Sequence, residues 1–337
     1  MAEIVLGIGT SHSPLLTIEP AIWAERARDD YRKQELVLAD GRVVTYRQLE
    51  EEVAGRYADV ATAEAFEKEY RQAQQALDGL ARTIAEARLD ALVIVGDDQE
   101  ELFTRAHMPA IAVYNGAELV TLPKTELAPD LPNWYRQANK GYNMDAVHRH
   151  PSASHLADGL IEGLMEAGID IAVASEVRDP YQAGFGHAYG FVVNRLCADD
   201  PPPILPIMLN TYFPPNVPRP ARCYDIGVAI GRVLRGLPSD DRVGIVASGG
   251  LTHFAVDSDL DRSVIGALET GDAATLRALP HRALRSGNSE ILNWVMAAGA
   301  LTGLTVTDSE YIPVRRTPAG TGIGLAFLTW QKDGCLT

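Results

Sequence analysis

Short aliphatic runs, each stopped by glycine, proline or a small polar residue, restrict the fold of this chain more than any other feature. They fall at residues 4–8, 90–96, 110–114, 169–175, 204–209, 242–247 and 322–329. Runs of this length with such boundaries read as strands buried on both faces. Between them lie stretches of helical period. In 62–88, Phe66, Tyr70, Ala73, Leu77, Leu80, Ile84 and Ala85 recur at three- and four-residue steps. Further helices are expected at 152–167, capped by Ser152 or Ser154, at 221–234 and at 289–298. The alternation predicts an α/β fold: a mostly parallel or mixed central sheet covered by helices on both faces. No linker rich in glycine, serine or proline interrupts it, so residues 1–337 read as a single domain. Residues 15–88 read as an inserted excursion: a short helix begun at Pro20, a hairpin over 37–44 on the Asp40-Gly41 turn, and the long helix. The expectation is that this insertion covers the site.

Several runs end in residues suited to chemistry. The first breaks into Gly9-Thr10-Ser11-His12-Ser13-Pro14, the second into Asp97-Asp98-Gln99, and the run at 242–247 into Ser248-Gly249-Gly250-Leu251-Thr252-His253. His187 lies in a glycine-rich loop after another run. If the strands are parallel, these ends share one rim of the sheet, where open α/β folds bind ligands. Two histidines and one carboxylate on one face leave positions open for substrate and O2 on ferrous iron, with Asp97, Asp98 or Glu290 as the carboxylate. Taken singly, each residue also has a structural reading. His12 can bond a loop, Asp97 or Asp98 can cap a helix, and Glu290 can complement a helix dipole.

Charge and cysteine content narrow the class. A net charge of −15 argues against a nucleic-acid partner. No apolar stretch reaches the ~18 residues of a bilayer span, and the expected partner list holds no membrane. The N-terminal residues lack the basic and apolar regions of a secretory signal. Cys197, Cys223 and Cys335 are scattered without pairing, which suits reduced thiols in a cytoplasm.

These motifs together resemble the class III extradiol ring-cleavage dioxygenases, the family of the protocatechuate 4,5-dioxygenase catalytic subunit. The resemblance rests on the three strand-end motifs above and on Gly186-His187. Asn210-Thr211-Tyr212-Phe213-Pro214-Pro215, Ser286-Gly287-Asn288-Ser289-Glu290 and Thr321-Gly322-Ile323-Gly324 complete it. The long insertion is more similar to the single-chain 3-O-methylgallate dioxygenase branch. The resemblance implies non-haem Fe(II)-dependent cleavage of a catechol- or gallate-type phenolic acid by O2. It implies His12 and Glu290 as iron ligands, His253 as the acid/base, and His187 as a catalytic or substrate-contacting histidine. Ser13, Tyr212, Thr252 and Arg315 are the substrate-binding residues expected, with Arg316 and Arg178 as further candidates to balance a carboxylate. A homodimer is the common assembly in the family.

One residue departs from the pattern: the family's second histidine ligand falls on Gln99. A carboxamide is neutral like imidazole but a weaker oxygen donor that favours harder ions. Either Gln99 or Asp98 fills the position, with Fe(II) or another divalent metal, or the metal is held weakly and the fold runs other chemistry. That other chemistry would be a non-oxidative lyase, hydrolase or decarboxylase reaction using His253 and His187. The remaining reading is a non-catalytic binder of aromatic acids.

Overall fold

The aliphatic runs pair into one mixed sheet. In the computed structural model, which describes residues 1–197 and 200–332, nine strands form it. In chain order the main elements are β1 (Glu3–Thr10), α1 (Trp23–Asp30), α2 (Ala63–Ala87), β2 (Ala91–Asp97) and β3 (Ile111–Tyr114). Next come α3 (Asn133–Gly141), α4 (Ser154–Glu166), β4 (Ala172–Ala174), α5 (His187–Phe191), β5 (Ile204–Leu209) and α6 (Pro220–Gly236). The chain continues through β6 (Arg242–Ser248), β7 (His253–Ala255), α7 (Ser258–Thr270), α8 (Ile291–Ala300), β8 (Thr305–Arg315) and β9 (Thr321–Gln331).

Along the sheet the order is β7-β9-β1-β6-β2-β5-β3-β4, with β8 on the other edge of β9. β1, β6, β2 and β5 are mutually parallel, so their carboxyl ends share one rim. β9 runs antiparallel to β1, β7 and β8, and β3 runs antiparallel to β5. Every residue of β2 and β5 is buried. This is why they read as unbroken aliphatic runs rather than alternating ones.

Each face of the sheet carries its own core. On one, α4, α6 and α8 cover Val93, Val95, Ile245 and Ala247. On the other, α2 contributes Phe66, Ala73, Leu77, Leu80 and Ile84 against Leu6, Ile8, Leu92 and Ile94. The periodicity of α2 thus corresponds to the face it buries, and Thr62 caps it by accepting from the Ala65 amide. The hairpin on Asp40-Gly41 forms from Leu36–Val37 and Val43–Val44.

The capping expectation for the helix at 152–167 is corrected. It starts at Ser154 behind Ala153, with no side-chain cap, because the Ser152 hydroxyl instead donates to the Ile204 carbonyl at 3.0 Å. The strand expected at 169–175 is confined to Ala172–Ala174. Cys197 and Cys223 are buried free thiols, their pKa pushed up to about 12 by burial. Cys335 lies outside the described residues. Among the described residues no helix is long and apolar enough to cross a membrane.

Candidate active site

Two residues beyond β1, the chain places a buried imidazole with a fixed tautomer. Ser248, at the end of β6, spends its hydroxyl proton on the Ala188 carbonyl at 2.6 Å. Its oxygen can therefore only accept from His12 Nδ1, 3.0 Å away. That leaves the lone pair on His12 Nε2. This nitrogen is buried without a hydrogen-bond partner, 3.2 Å from Glu290 Oε2 but off hydrogen-bond geometry. The Tyr142 hydroxyl donates to the His12 carbonyl at 2.8 Å and fixes the backbone there.

Glu290 ends a 3-10 turn, Ser286–Glu290, that runs directly into α8. The helix is held against the rim by Trp294, whose ring occupies the space over Gly9 where a Cβ would approach to 2.1 Å. The Trp294 indole N–H donates to the Gly249 carbonyl at 2.8 Å. Glu290 Oε2 accepts from the Gly250 amide at 2.7 Å, and Oε1 from the Tyr212 hydroxyl at 3.2 Å. Burial alone would raise its pKa, but His253, His12 and His187 around it hold it well below the ordinary carboxylate value. The same surroundings push the Tyr212 phenol well up, first by burial and then by the Glu290 charge.

His187 opens α5. Its Nδ1 lies 3.0 Å from Glu101 Oε1, a carboxylate that comes this close because Gly186 has no Cβ to block it. Burial opposes a charge on His187, yet Glu101 lifts its pKa to about 9. Gln99, at the position of the departure, also reaches this centre. Its Nε2 donates to Asp97 Oδ2 at 2.9 Å and stands 3.3 Å from His187 Nε2 and 3.5 Å from Glu290 Oε1. Asp97 is raised by burial and by the Glu290 charge, and Asn293 donates to its other oxygen at 3.0 Å. Asp98 turns away: it accepts from the Glu100, Leu102 and Phe103 amides and braces the loop.

His253 completes the group from β7. Its Nδ1 is 2.7 Å from the Leu251 carbonyl, which can only accept, so Nε2 carries the lone pair, 3.3 Å from Glu290 Oε2. Burial lowers its pKa below 6.5. Gly250 and Gly287 clear the ring's place, since a Cβ at either would come within 2.3 Å of it or its Cβ. Three imidazoles thus have Nδ1 tied to the protein, and two of them, His12 and His253, bring Nε2 within 3.3 Å of one carboxylate.

These groups line a cavity of about 200 Å³ together with Ser13, Tyr212, Lys124, Arg26 and Arg316. Thr252 and Arg315 are not brought to it. Thr252 donates to Asp261 Oδ2 at 2.8 Å and braces the turn before His253. Arg315 stacks on Tyr57 at 4.4 Å and donates to Ser258 at 2.8 Å. Arg178 is exposed and pairs with Glu176. From residues 15–88, Arg26 is the lining residue among those described, while α2 packs on β1, β8 and β9. Sequence reasoning missed one wall entirely: Lys124, Trp134, Tyr135, Asn139, Tyr142 and Met144 come from the segment between β3 and α4. A cluster of three aromatics within 134–142 was the one available signal.

The donor set fits a divalent ion. One ligand atom each from His12, His187 and Glu290 lie within 4.8 Å of one another, and the unpartnered His12 Nε2 is the atom such an ion would satisfy. Glu101 behind His187 and Ser248 behind His12 hold the two imidazoles in place, as outer partners do for imidazoles that ligate an ion.

Comparison with known proteins bears on this arrangement. The family model for the catalytic LigB subunit of aromatic ring-opening dioxygenases matches residues 60–321. A curated relative, the 2,3-dihydroxyphenylpropionate/2,3-dihydroxicinnamic acid 1,2-dioxygenase of Comamonas testosteroni, is 37% identical over 101 residues. That match covers 30% of this chain and 30% of the relative.

Proposed function

The chain belongs to the family of catalytic LigB subunits of aromatic ring-opening dioxygenases, and from that membership we propose that it opens the ring of a catechol- or gallate-type phenolic acid with O2, using Fe(II). The observation that carries this reading is that His12 and His253 bring Nε2 within 3.3 Å of Glu290 while a ligand atom of His187 lies within 4.8 Å of those of His12 and Glu290, each imidazole being anchored through Nδ1.

His12 and Glu290 would hold the ion, with the third position filled from the side where His187 and Gln99 stand together. The imidazole is the better donor there to a transition ion, and the ion would replace the proton that Glu101 otherwise keeps on His187. With His187 as the third donor the ligand set would not depend on Gln99, which favours the oxidative reading over a non-oxidative lyase, hydrolase or decarboxylase. Bound iron would supply the one-electron chemistry by which O2 reacts with a vicinal diol. The protein's own part is positional and protic. His253, neutral at pH 7, accepts a proton from the substrate hydroxyl at Nε2 while Leu251 keeps the ring oriented, and later returns it. Tyr212 steadies Glu290, and the buried walls exclude water.

The test is O2 uptake by protein purified and iron-loaded without oxygen, on a panel of catechols and gallates. Stoichiometric uptake with loss of the aromatic absorbance is expected. Anaerobic turnover indifferent to chelator would overturn it in favour of non-oxidative chemistry.

A further inference from the structure

Besides the histidines and Glu290, three cations line the same cavity: Lys124, Arg316 and Arg26. Two are matched. Lys124 lies 3.9 Å from the buried Glu101 carboxylate. Arg316 is buried and forks onto Asp30, with Nε to Oδ2 at 3.0 Å and Nη2 to Oδ2 at 2.8 Å. Arg26 is different. Among the described residues its hydrogen-bond acceptor is that same Asp30, reached at a long 3.5 Å, and its next carboxylate is the half-exposed Asp29 at 3.7 Å. Asp30 already serves Arg316 and the Thr321 hydroxyl. A third cation, Lys33, lies nearby over the ring of Phe254, itself a cavity residue, at 3.9 Å. Positive charge therefore exceeds negative around Asp30.

Two features prepare Arg26 for a ligand. Its guanidinium lies 4.8 Å from the centre of the Trp134 ring, which holds it on an aromatic wall of the cavity. Burial and the neighbouring Arg316 charge also pull its pKa down to about 10, the mark of a cation short of counter-charge. A planar guanidinium in this state suits a carboxylate, which it can bind in a two-pronged fashion. Tyr142, which lines the same cavity, donates its hydroxyl to the His12 carbonyl. At about 200 Å³ the cavity is below the ~300–1,000 Å³ of drug-sized ligands, so its occupant is small.

We propose that Arg26, on the helix supplied by the N-terminal insertion, binds the carboxylate of a one-ring aromatic acid, with Arg316 locked to Asp30 as its fixed backing. The proposal rests on the ring-opening reading for the placement of the hydroxyls at the His12–Glu290 end. Arg315, stacked on Tyr57 and bonded to Ser258, has no part in it.

The test is calorimetric titration without O2, comparing 3,4-dihydroxybenzoate and gallate with their neutral carboxamides. The wild-type protein should bind each acid about tenfold or more tightly than its amide. Arg26→Gln should weaken acid binding about 10- to 100-fold and leave amide binding within about twofold. Arg26→Lys, which keeps the charge without the fork, should fall between and decides the matter if the glutamine variant does not fold. Equal weakening of acid and amide, or a wild-type protein that does not prefer the acid, overturns the proposal. Failure of the ring-opening reading shows separately, as absence of O2 uptake by a protein that still distinguishes acid from amide.

Discussion

Replacing Asp30 by asparagine strips the charge from a carboxylate that is wholly buried where α1 meets the chain just past β8. Asp30 accepts from Arg316 Nε and Nη2, from the Thr321 hydroxyl at 3.0 Å, and weakly from Arg26. Arg316 is only 6% exposed, so the substitution leaves a guanidinium buried without its anion. Loss of one neutral hydrogen bond would cost about 1 kcal/mol. Breaking a buried ion pair from one side costs about 3–5 kcal/mol, because the surviving charge keeps its desolvation penalty. Asp30→Asn should therefore lower the unfolding free energy by about 3–5 kcal/mol in urea, with the slope of the transition unchanged. The double variant Asp30→Leu with Arg316→Met removes both charges and should be more stable than Asp30→Asn alone. A single variant within about 1 kcal/mol of wild type, or a double variant less stable than the single, would refute the argument.

The other expectations concern the site. His253→Ala should reduce turnover by about 10²- to 10⁴-fold with ion content unchanged, measured by O2 uptake and metal analysis. Because burial holds the His253 pKa below 6.5, the base is neutral at pH 7, and wild-type turnover should be lost only as pH falls through that lowered value. Gly287→Ala would set a Cβ 2.1 Å from that of His253, so it should cost about 1–3 kcal/mol in denaturant and depress turnover by displacing the ring. With His187 as the third donor, Gln99→His should leave affinity for a transition divalent ion within about twofold, read by competition with a chelator; a rise on the order of tenfold would put residue 99 in the ligand set instead.

How legible these features were in the sequence follows from what fixes each of them. β5 occupies 204–209 as expected, and α2 follows its periodicity, because both are set by local pattern and burial. The shared rim was legible too, since parallel strands must end together, and it places His12, Gln99 and Ser248 as neighbours. β8 escaped notice. It is an edge strand paired on one side, polar through Thr305, Thr307, Asp308, Ser309 and Glu310, and it tolerates Pro313 for the same reason. The expected helix at 289–298 hid a 3-10 turn, so Glu290 stands at a junction rather than in a regular first turn. Arg26 and Lys124 had no signature of their own, and Trp134 only a share in the aromatic cluster at 134–142, because only long-range packing brings those segments to one cavity. The choice of Arg315 over Arg316 turned on a one-residue register: leaving β8, one side chain turns to Tyr57 and the other to Asp30.

The central claim is that residues 12 and 290 grip one ion, and metal content after anaerobic loading with Fe(II) and desalting measures it most directly. Wild-type protein should retain a stoichiometric ion, and His12→Ala and Glu290→Gln should each lose it while remaining folded. Retention of the ion by both variants, or none bound by the wild type, would contradict the account.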